Sequence, residues 1–410
     1  MTERYKETIK EVLTHVKNNR LTYKIMGIIT DNTKMNKFER KVARLREKLD
    51  QWMVDEVAEL TIDRNYIFTS SYNETIVLNP TQWKKIFKII FLDEQGVDGG
   101  GLTREWFTIL TREVFDPNYA LFITTNNCYT INKASHVNPE HLDYFKFVGK
   151  LIAKSIIERQ NINCHFTKSF YKHILNIRVT YQDFEKEDPT FFNSLDYILK
   201  NPVKGLDLTF TTEVDEFGER FEKELMYNGR NIEVTDDNKK DYVRLLCRMK
   251  MTDSIKPQLD AFRAGFYEVF PKLFLIGFDE KELELLICGE PEIDIDDLRY
   301  NTKYVDCKES DEQVQWFWRA LESFDELDKA KFLMFVTGSP NAPLNGFADL
   351  RGLHNIAPFK IIKDSRTGNR LPTSHTCVNQ LALPHYDSYE QLLNSLLLAI
   401  QEGAEGYSFC

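Results

Sequence analysis

Residues 142–153 place Leu142, Phe145, Val148, Gly149, Ile152 and Ala153 at helical spacing, on a face that is apolar over most of its width. A helix of that kind is buried, so a large core must form around it. Asn138-Pro139-Glu140-His141 just before it supplies the helix start. The chain has 410 residues, too many for one ordinary core, and two or three compact units are expected. An apolar share of 42%, with 29 phenylalanines, 18 tyrosines and 5 tryptophans, supplies the material for them and argues against disorder.

Charge and spacing exclude several classes of function. A net charge of -10 is the wrong sign for nucleic acid as main partner, because binding phosphate requires a basic surface. No apolar run approaches the length of a bilayer span, and Met1 to Lys6 do not begin a signal peptide, so no membrane insertion is expected. The seven cysteines (Cys128, Cys164, Cys247, Cys288, Cys307, Cys377 and Cys410) are odd in number, widely spaced and free of any C-x-x-C. That pattern suits reduced thiols in the cytoplasm or nucleus, not a disulfide frame or a zinc site. The eight histidines form no H-E-x-x-H or H-x-H cluster, and neither a Walker loop nor G-x-G-x-x-G occurs. No cofactor and no metal is expected.

In chain order, Ile9, Val12, Leu13 and Val16 mark a helix over residues 5–18, and Phe38, Val42, Leu45, Leu49 and Trp52 mark a second. Two readings stand for these helices: packing on the main body, or self-association. Ile62 to Tyr72 reads as strand and turn. A helix is expected from Pro80 through Trp83, Ile86, Phe87 and Ile90. Gly99-Gly100-Gly101 allows unusual backbone shapes, Thr103 is placed to cap a helix beginning at Arg104, and Arg104 and Glu105 are placed to tie down the glycine loop. From about 197 the texture changes. A strand is expected over Leu206 to Thr211, a hairpin at Asn228-Gly229, and helices carrying Tyr242, Leu245, Leu246 and Met249, then Leu259, Phe262 and Phe266. This small α+β unit carries more apolar surface than it can hide alone, which leaves core packing or a shallow groove for a partner. Tyr300 to Ser310 is polar and reads as a linker, and residues 309–410 read as a separate small domain.

That last domain holds Leu371-Pro372-Thr373-Ser374-His375-Thr376-Cys377-Val378-Asn379. In an extended segment His375 and Cys377 share a side and Thr376 faces away. A thiol beside an imidazole and a polar loop is a candidate nucleophile; the structural alternative is a small buried cysteine.

Several of these stretches together resemble the HECT-type ubiquitin ligase catalytic domain, over about residues 37–410. The matching motifs are Asp98 to Trp106, Asp116 to Phe122, Asn138 to Gly149, Asn228 to Thr235, Glu282 to Leu286, Gln315 to Trp318 and Leu371 to Asn379. Leu396 to Glu402 looks like the giant members that also carry UBA and WWE domains, and Glu309 to Glu312 and Asn228 to Thr235 look like the WW-domain-bearing members. The resemblance implies an α+β bilobal fold. Its parts are a helical extension (1–36), a large, mostly helical N-lobe (37–305) with an inserted conjugating-enzyme-binding subdomain (about 197–270), a hinge (306–308) and an α/β C-lobe (309–410). It implies that Cys377 carries ubiquitin as a thioester and passes it to lysines of protein substrates, with His375 and Thr376 as helpers or as positioning groups. It further implies that Tyr407 seats the tail for lysine transfer, and that Leu225, Leu246, Met249 and Leu259 meet the conjugating enzyme. Tyr72 and Phe166 stand at positions that resemble a non-covalent ubiquitin surface, with packing as the alternative. Val378 and Tyr407 replace phenylalanines usual in the family, and Gly99 adds a glycine to the loop. The rival reading from a different class is a non-catalytic ubiquitin-binding or scaffold module.

Overall fold

The computed structural model describes residues 37–94, 101–126, 128–216, 219–290, 293–344, 346–352, 356–365 and 370–405. The helix expected over 5–18, Gly99 and Tyr407 lie outside them. The chain divides into two compact units, one ending at Trp52 and one beginning at Met53. The first contributes helix α1 (Lys37–Trp52), with Val42, Leu45 and Leu49 three or four apart on its buried face. Helix α1 thus falls in the first unit, whereas the N-lobe was expected to begin at residue 37.

The second unit opens with two parallel strands, β1 (Val57–Ile62) and β2 (Ile86–Phe91), joined through helix α2 (Ile67–Ile76). Both expectations for this region are overturned. Ile67 to Tyr72 is helix, and Ile86 to Phe91 is strand. Phe87, Ile89 and Phe91 are buried while their neighbours are half-buried, so the period is two, and a short apolar run does not by itself distinguish strand from helix. Helix α3 (Gly101–Val114) starts before Arg104. Thr103 is not its cap; its buried hydroxyl donates to Phe87 O at 3.2 Å and ties α3 to β2. Glu105 reaches Arg64 at 2.7 Å, while Arg104 turns the other way. A short hairpin, β3 (Phe122–Thr125) and β4 (Cys128–Ile131), leads to helix α4 (His141–Glu158), the apolar helix, and then to α5 (Lys168–Ile174).

The small unit is built from α6 (Pro189–Lys200), the hairpin β5 (Thr211–Glu216) and β6 (Glu219–Glu224), and α7 (Lys239–Met251). Phe184, Leu195, Val203, Phe210, Tyr242 and Leu246 share its core. Its strand begins where the expected one ends, at Thr211. Asn228-Gly229 is not the hairpin turn: Asn228 is left-handed (φ 58), and Gly229 lies against the Phe210 carbonyl, where a Cβ would approach to 2.3 Å. Helix α8 (Lys256–Val269) leaves this unit and crosses α4 instead. The crossing needs glycine on both sides, because a Cβ would sit 2.0 Å from Phe262 O at Gly149 and 1.8 Å from Lys146 O at Gly265.

After α9 (Glu280–Cys288) come α10 (Ile295–Tyr300), β7 (Lys303–Val305), α11 (Glu312–Glu322), α12 (Glu326–Thr337), β8 (Lys360–Lys363), β9 (Thr373–His375), β10 (Gln380–Leu383) and α13 (Tyr389–Glu405). The strands form one sheet in the order β7-β8-β10-β9, with β9 antiparallel to β10 and the other pairs parallel. Ile293, Leu298, Trp318, Phe332, Ile361 and Leu396 belong to one core with this sheet. The expected hinge at 306–308 is therefore corrected. Strand β7 precedes it and pairs with β8, and Cys307 packs on the same core, its Sγ donating to Ile361 O at 3.5 Å. The lobes join between Cys288 and Ile293. Tyr300 to Ser310 is poor in aliphatics because β7 is a three-residue edge strand that buries little. At the true junction Glu290 and Ala342 exchange two backbone hydrogen bonds of 3.1 Å, and Asn341 Nδ2 donates to Cys288 O at 2.6 Å. The α+β, bilobal architecture holds with its boundary moved upstream.

Candidate active site

Strands β9 and β10 pair His375 with Gln380, so the four residues between them must reverse the chain. Thr376 to Val378 form a single 3-10 turn, and Asn379 closes it in the left-handed region (φ 51), which asparagine tolerates better than most residues. Asn379 is fully buried, and its Nδ2 donates to Arg351 O at 2.7 Å and Ala357 O at 2.8 Å. Cys377 thus sits on a pinned turn with its side chain partly exposed. The extended segment assumed for His375 and Cys377 stops at His375. That imidazole is exposed, and among the described residues no hydrogen bond joins it to Cys377. Thr376 contributes its carbonyl, which faces Arg104 Nη1 at 3.5 Å.

The N-lobe meets this turn through the first turns of α3. A Cβ on Gly101 would lie 2.8 Å from the Cβ of Cys377, and one on Gly352 would lie 3.0 Å from Cys377 O, so glycine is required on both sides of the turn. One helical turn on, the Arg104 guanidinium crosses between the lobes. It donates to Arg351 O at 2.7 Å and Asn379 Oδ1 at 3.3 Å, and also to Thr337 O. Thr108 Oγ1 adds a bond to Gly338 O at 3.3 Å. Arg104 spends its donors on carbonyl oxygens and a side-chain amide, so it holds the turn's backbone. Chemically, the arrangement offers a reachable nucleophile on a backbone fixed from two lobes.

The remaining candidates scatter. Leu246, Met249 and Leu259 are 4%, 7% and 2% exposed and present no side chain to a partner; Leu225 packs against the small unit's core. Their helical spacing marked core faces. Phe166 is buried 4.5 Å from the Phe170 ring, and Tyr72 is half-buried, edge-on to Tyr144 at 5.1 Å. The small unit carries a groove of ≈ 580 Å³, and the residues that line it, Tyr197, Ile198, Leu206 and Leu208, with Tyr197 55% exposed, are not the ones the sequence offered for it. Leu195 turns inward on α6, and Tyr197 two positions later necessarily points elsewhere; that spacing was the available signal. Missed as well were Gly101, Arg104 and Asn379 as the fixings of the turn. Among the described residues no group of three or more His, Cys, Asp or Glu is arranged to hold a metal, and no helix is long and apolar enough to cross a membrane.

The profile of the HECT-domain (ubiquitin-transferase) family matches residues 108–410, which include Cys377. The chain is 48% identical over 415 residues to the E3 ubiquitin-protein ligase HUWE1 of Mus musculus, covering 98% of this chain and 10% of that protein. It is 43% identical over 391 residues to the E3 ubiquitin-protein ligase ptr1 of Schizosaccharomyces pombe, covering 93% and 12%. To the E3 ubiquitin-protein ligase UPL1 of Arabidopsis thaliana it is 40% identical over 411 residues, covering 96% and 11%. The chain therefore spans about a tenth of the length of these relatives. A profile match over most of the chain, running through both lobes and the cysteine turn, makes this chain a member of the HECT-domain (ubiquitin-transferase) family.

Proposed function

We propose that the chain accepts ubiquitin from a conjugating enzyme as a thioester on Cys377 and transfers it to lysines of protein substrates. The observation that carries this reading is the reachable Cys377 thiol on a turn pinned by Asn379 and Arg104. In the first step the Cys377 thiolate attacks the thioester carbonyl on the conjugating enzyme. A new carbon–sulfur bond forms, and the donor cysteine leaves as thiolate. In the second, a substrate amine attacks the Cys377 thioester, an amide forms, and the Cys377 thiolate departs while the amine loses its proton. Thioester exchange is nearly isoenergetic, and a thioester stays activated towards amines, so the covalent relay divides the transfer into two easier steps. For the donor we assign the groove at Tyr197, Ile198, Leu206 and Leu208, an exposed apolar surface of the kind that takes a partner.

The test is ubiquitin charging with a panel of conjugating enzymes. Wild type is expected to form a thiol-sensitive adduct that Cys377→Ala lacks at an unchanged melting temperature. An adduct persisting in the variant, or no charging of wild type by any donor, overturns the proposal and favours the scaffold reading. The family resemblance gives Tyr407 a role after charging. Deleting residues 407–410 is expected to spare the adduct and slow transfer to lysine, and loss of both steps contradicts that role.

A further inference from the structure

Where the small unit joins the N-lobe, a cavity of ≈ 510 Å³ is lined by Arg178, Arg244, Arg248, Lys256 and Arg263, against Asp253 and Asp260. Five cations facing two carboxylates reverse the sign of a chain whose net charge is -10. The cations come from three segments: the stretch after α5, helix α7 and helix α8. On α7 Arg244 and Arg248 stand one turn apart, and on α8 Lys256 and Arg263 fall on one side, so helix geometry converges them on a single concavity. The volume lies in the range of small-ligand sites and is far too small for a nucleic-acid duplex.

Charge compensation inside the cavity is incomplete. Arg248 pairs with Asp253 at 3.2 Å and Lys256 with Asp260, while Arg244 pairs at 3.0 Å with Asp241, which stands outside the lining. These pairs are exposed, and such pairs contribute under about 1 kcal/mol, so an incoming anion can replace them. Arg178 is exposed and has no ion pair among the described residues. Arg263 has a neutral partner: Nη2 donates to Asn176 Oδ1 at 3.0 Å, while its Nε is buried without a hydrogen-bond partner among the described residues. A guanidinium buried in part and lacking a carboxylate is short of a counter-charge, which a bound anion supplies. A single small monoanion neither fills the space nor balances cations arriving from three segments.

We propose that this cavity binds a small anion bearing several phosphate groups, and that the bound anion braces the small unit (α7) against the body of the N-lobe (α8). Arg178 and Arg248 contact the outer phosphates, and Arg263 supplies the charge of the floor. The site is independent of Cys377 and of ubiquitin, so its test stands whether or not the chain transfers ubiquitin.

The test is calorimetric titration of the whole chain with sodium tripolyphosphate and, separately, with inositol hexakisphosphate, at fixed physiological ionic strength. At least one probe is expected to bind saturably at one site per chain and to raise the melting temperature with concentration. Preference for the first identifies a linear polyphosphate chemistry, and preference for the second a ring of phosphate esters; either supports the site. Arg178→Glu and Arg248→Glu are each expected to weaken binding by about ten-fold or more, as loss of a charged contact does. Both side chains are exposed, so both variants are expected to melt as wild type does. Lys204→Glu, the same charge change outside the cavity, is expected to leave the affinity unaltered. Saturable binding of neither probe, undiminished binding in the two arginine variants, or equal weakening in Lys204→Glu overturns the proposal.

Discussion

Gly101 and Cys377 approach so closely that a β-carbon on the glycine would stand 2.8 Å from the one on the cysteine. One methyl group is therefore enough to push the lobes apart at the thiol. In Gly101→Ala, alkylation of Cys377 by iodoacetamide is expected to accelerate several-fold, with the buried Cys164, Cys247 and Cys288 as internal references read by mass spectrometry. An unchanged rate at Cys377 would show that the steric argument is wrong.

Arg104 binds the cysteine turn to the N-lobe through Arg351 O and Asn379 Oδ1. Hydrogen bonds from a charged donor each contribute about 1.5–3 kcal/mol. Arg104→Ala is expected to speed amide exchange at residues 376–379 by about ten-fold or more on that scale, while α4 and α8 keep their protection. Arg104→Lys is expected to restore little, because one ammonium cannot reproduce a fork aimed at separate oxygens. Equal exchange in wild type and Arg104→Ala would remove the latch from the account.

Cys377 was visible in the sequence as a candidate, whereas the turn that carries it, read there as extended, and the fixings of that turn were not, for a physical reason. A cysteine two places after a histidine announces chemistry through residue type alone. Arg104 lies far away in the chain, and nothing local shows that a guanidinium one turn into a helix will find carbonyls of the other lobe. The same divide runs through the fold. The α4 helix was legible because its apolar face exceeds what an edge position tolerates. Residues 86–91 were misread because Ile86, Phe87 and Ile90 satisfy a helical spacing by coincidence while Phe87, Ile89 and Phe91 satisfy period two in fact. Leu246, Met249 and Leu259 were apolar at the right spacing for a groove, yet the same spacing describes a core face, and the choice depends on which helix lies opposite.

Where α4 crosses α8, the glycines are sized to a backbone and not to a side chain. Gly149→Ala and Gly265→Ala each place a Cβ about 2 Å from a carbonyl oxygen of the other helix. Overpacking of this kind costs about 1–3 kcal/mol, and here the upper end is expected because a backbone must move. Urea unfolding midpoints measure it, and values for either variant within error of wild type would contradict the crossing.

Stability should also carry a pH signature from His165. Cys288 and Glu284, the latter 3.0 Å from Nδ1, hold its imidazole well above the ordinary value, at about 10. A folded pKa above the unfolded one, about 6.5, means the protonated ring favours the folded state. That contribution is complete below the unfolded value and disappears as pH rises through the folded one. The gap in urea midpoint between wild type and His165→Gln is therefore expected to be largest near pH 6 and to close towards pH 10. A gap of constant size over that range would dissociate His165 from the effect.

The junction between Cys288 and Ile293 decides what the two lobes share. Because β7 lies beyond it, all four strands of the C-terminal sheet travel together, and β1 and β2 stay behind. No strand ladder of the described residues spans the gap; the ties among the described residues include donors from Arg104, Thr108, Asn161 and Asn341 and the paired backbones of Glu290 and Ala342. Ties of that type cost about 1 kcal/mol apiece to exchange for water, with the charged ones somewhat higher. The lobes are fastened like two finished articles by a clasp, and undoing the clasp leaves both articles whole.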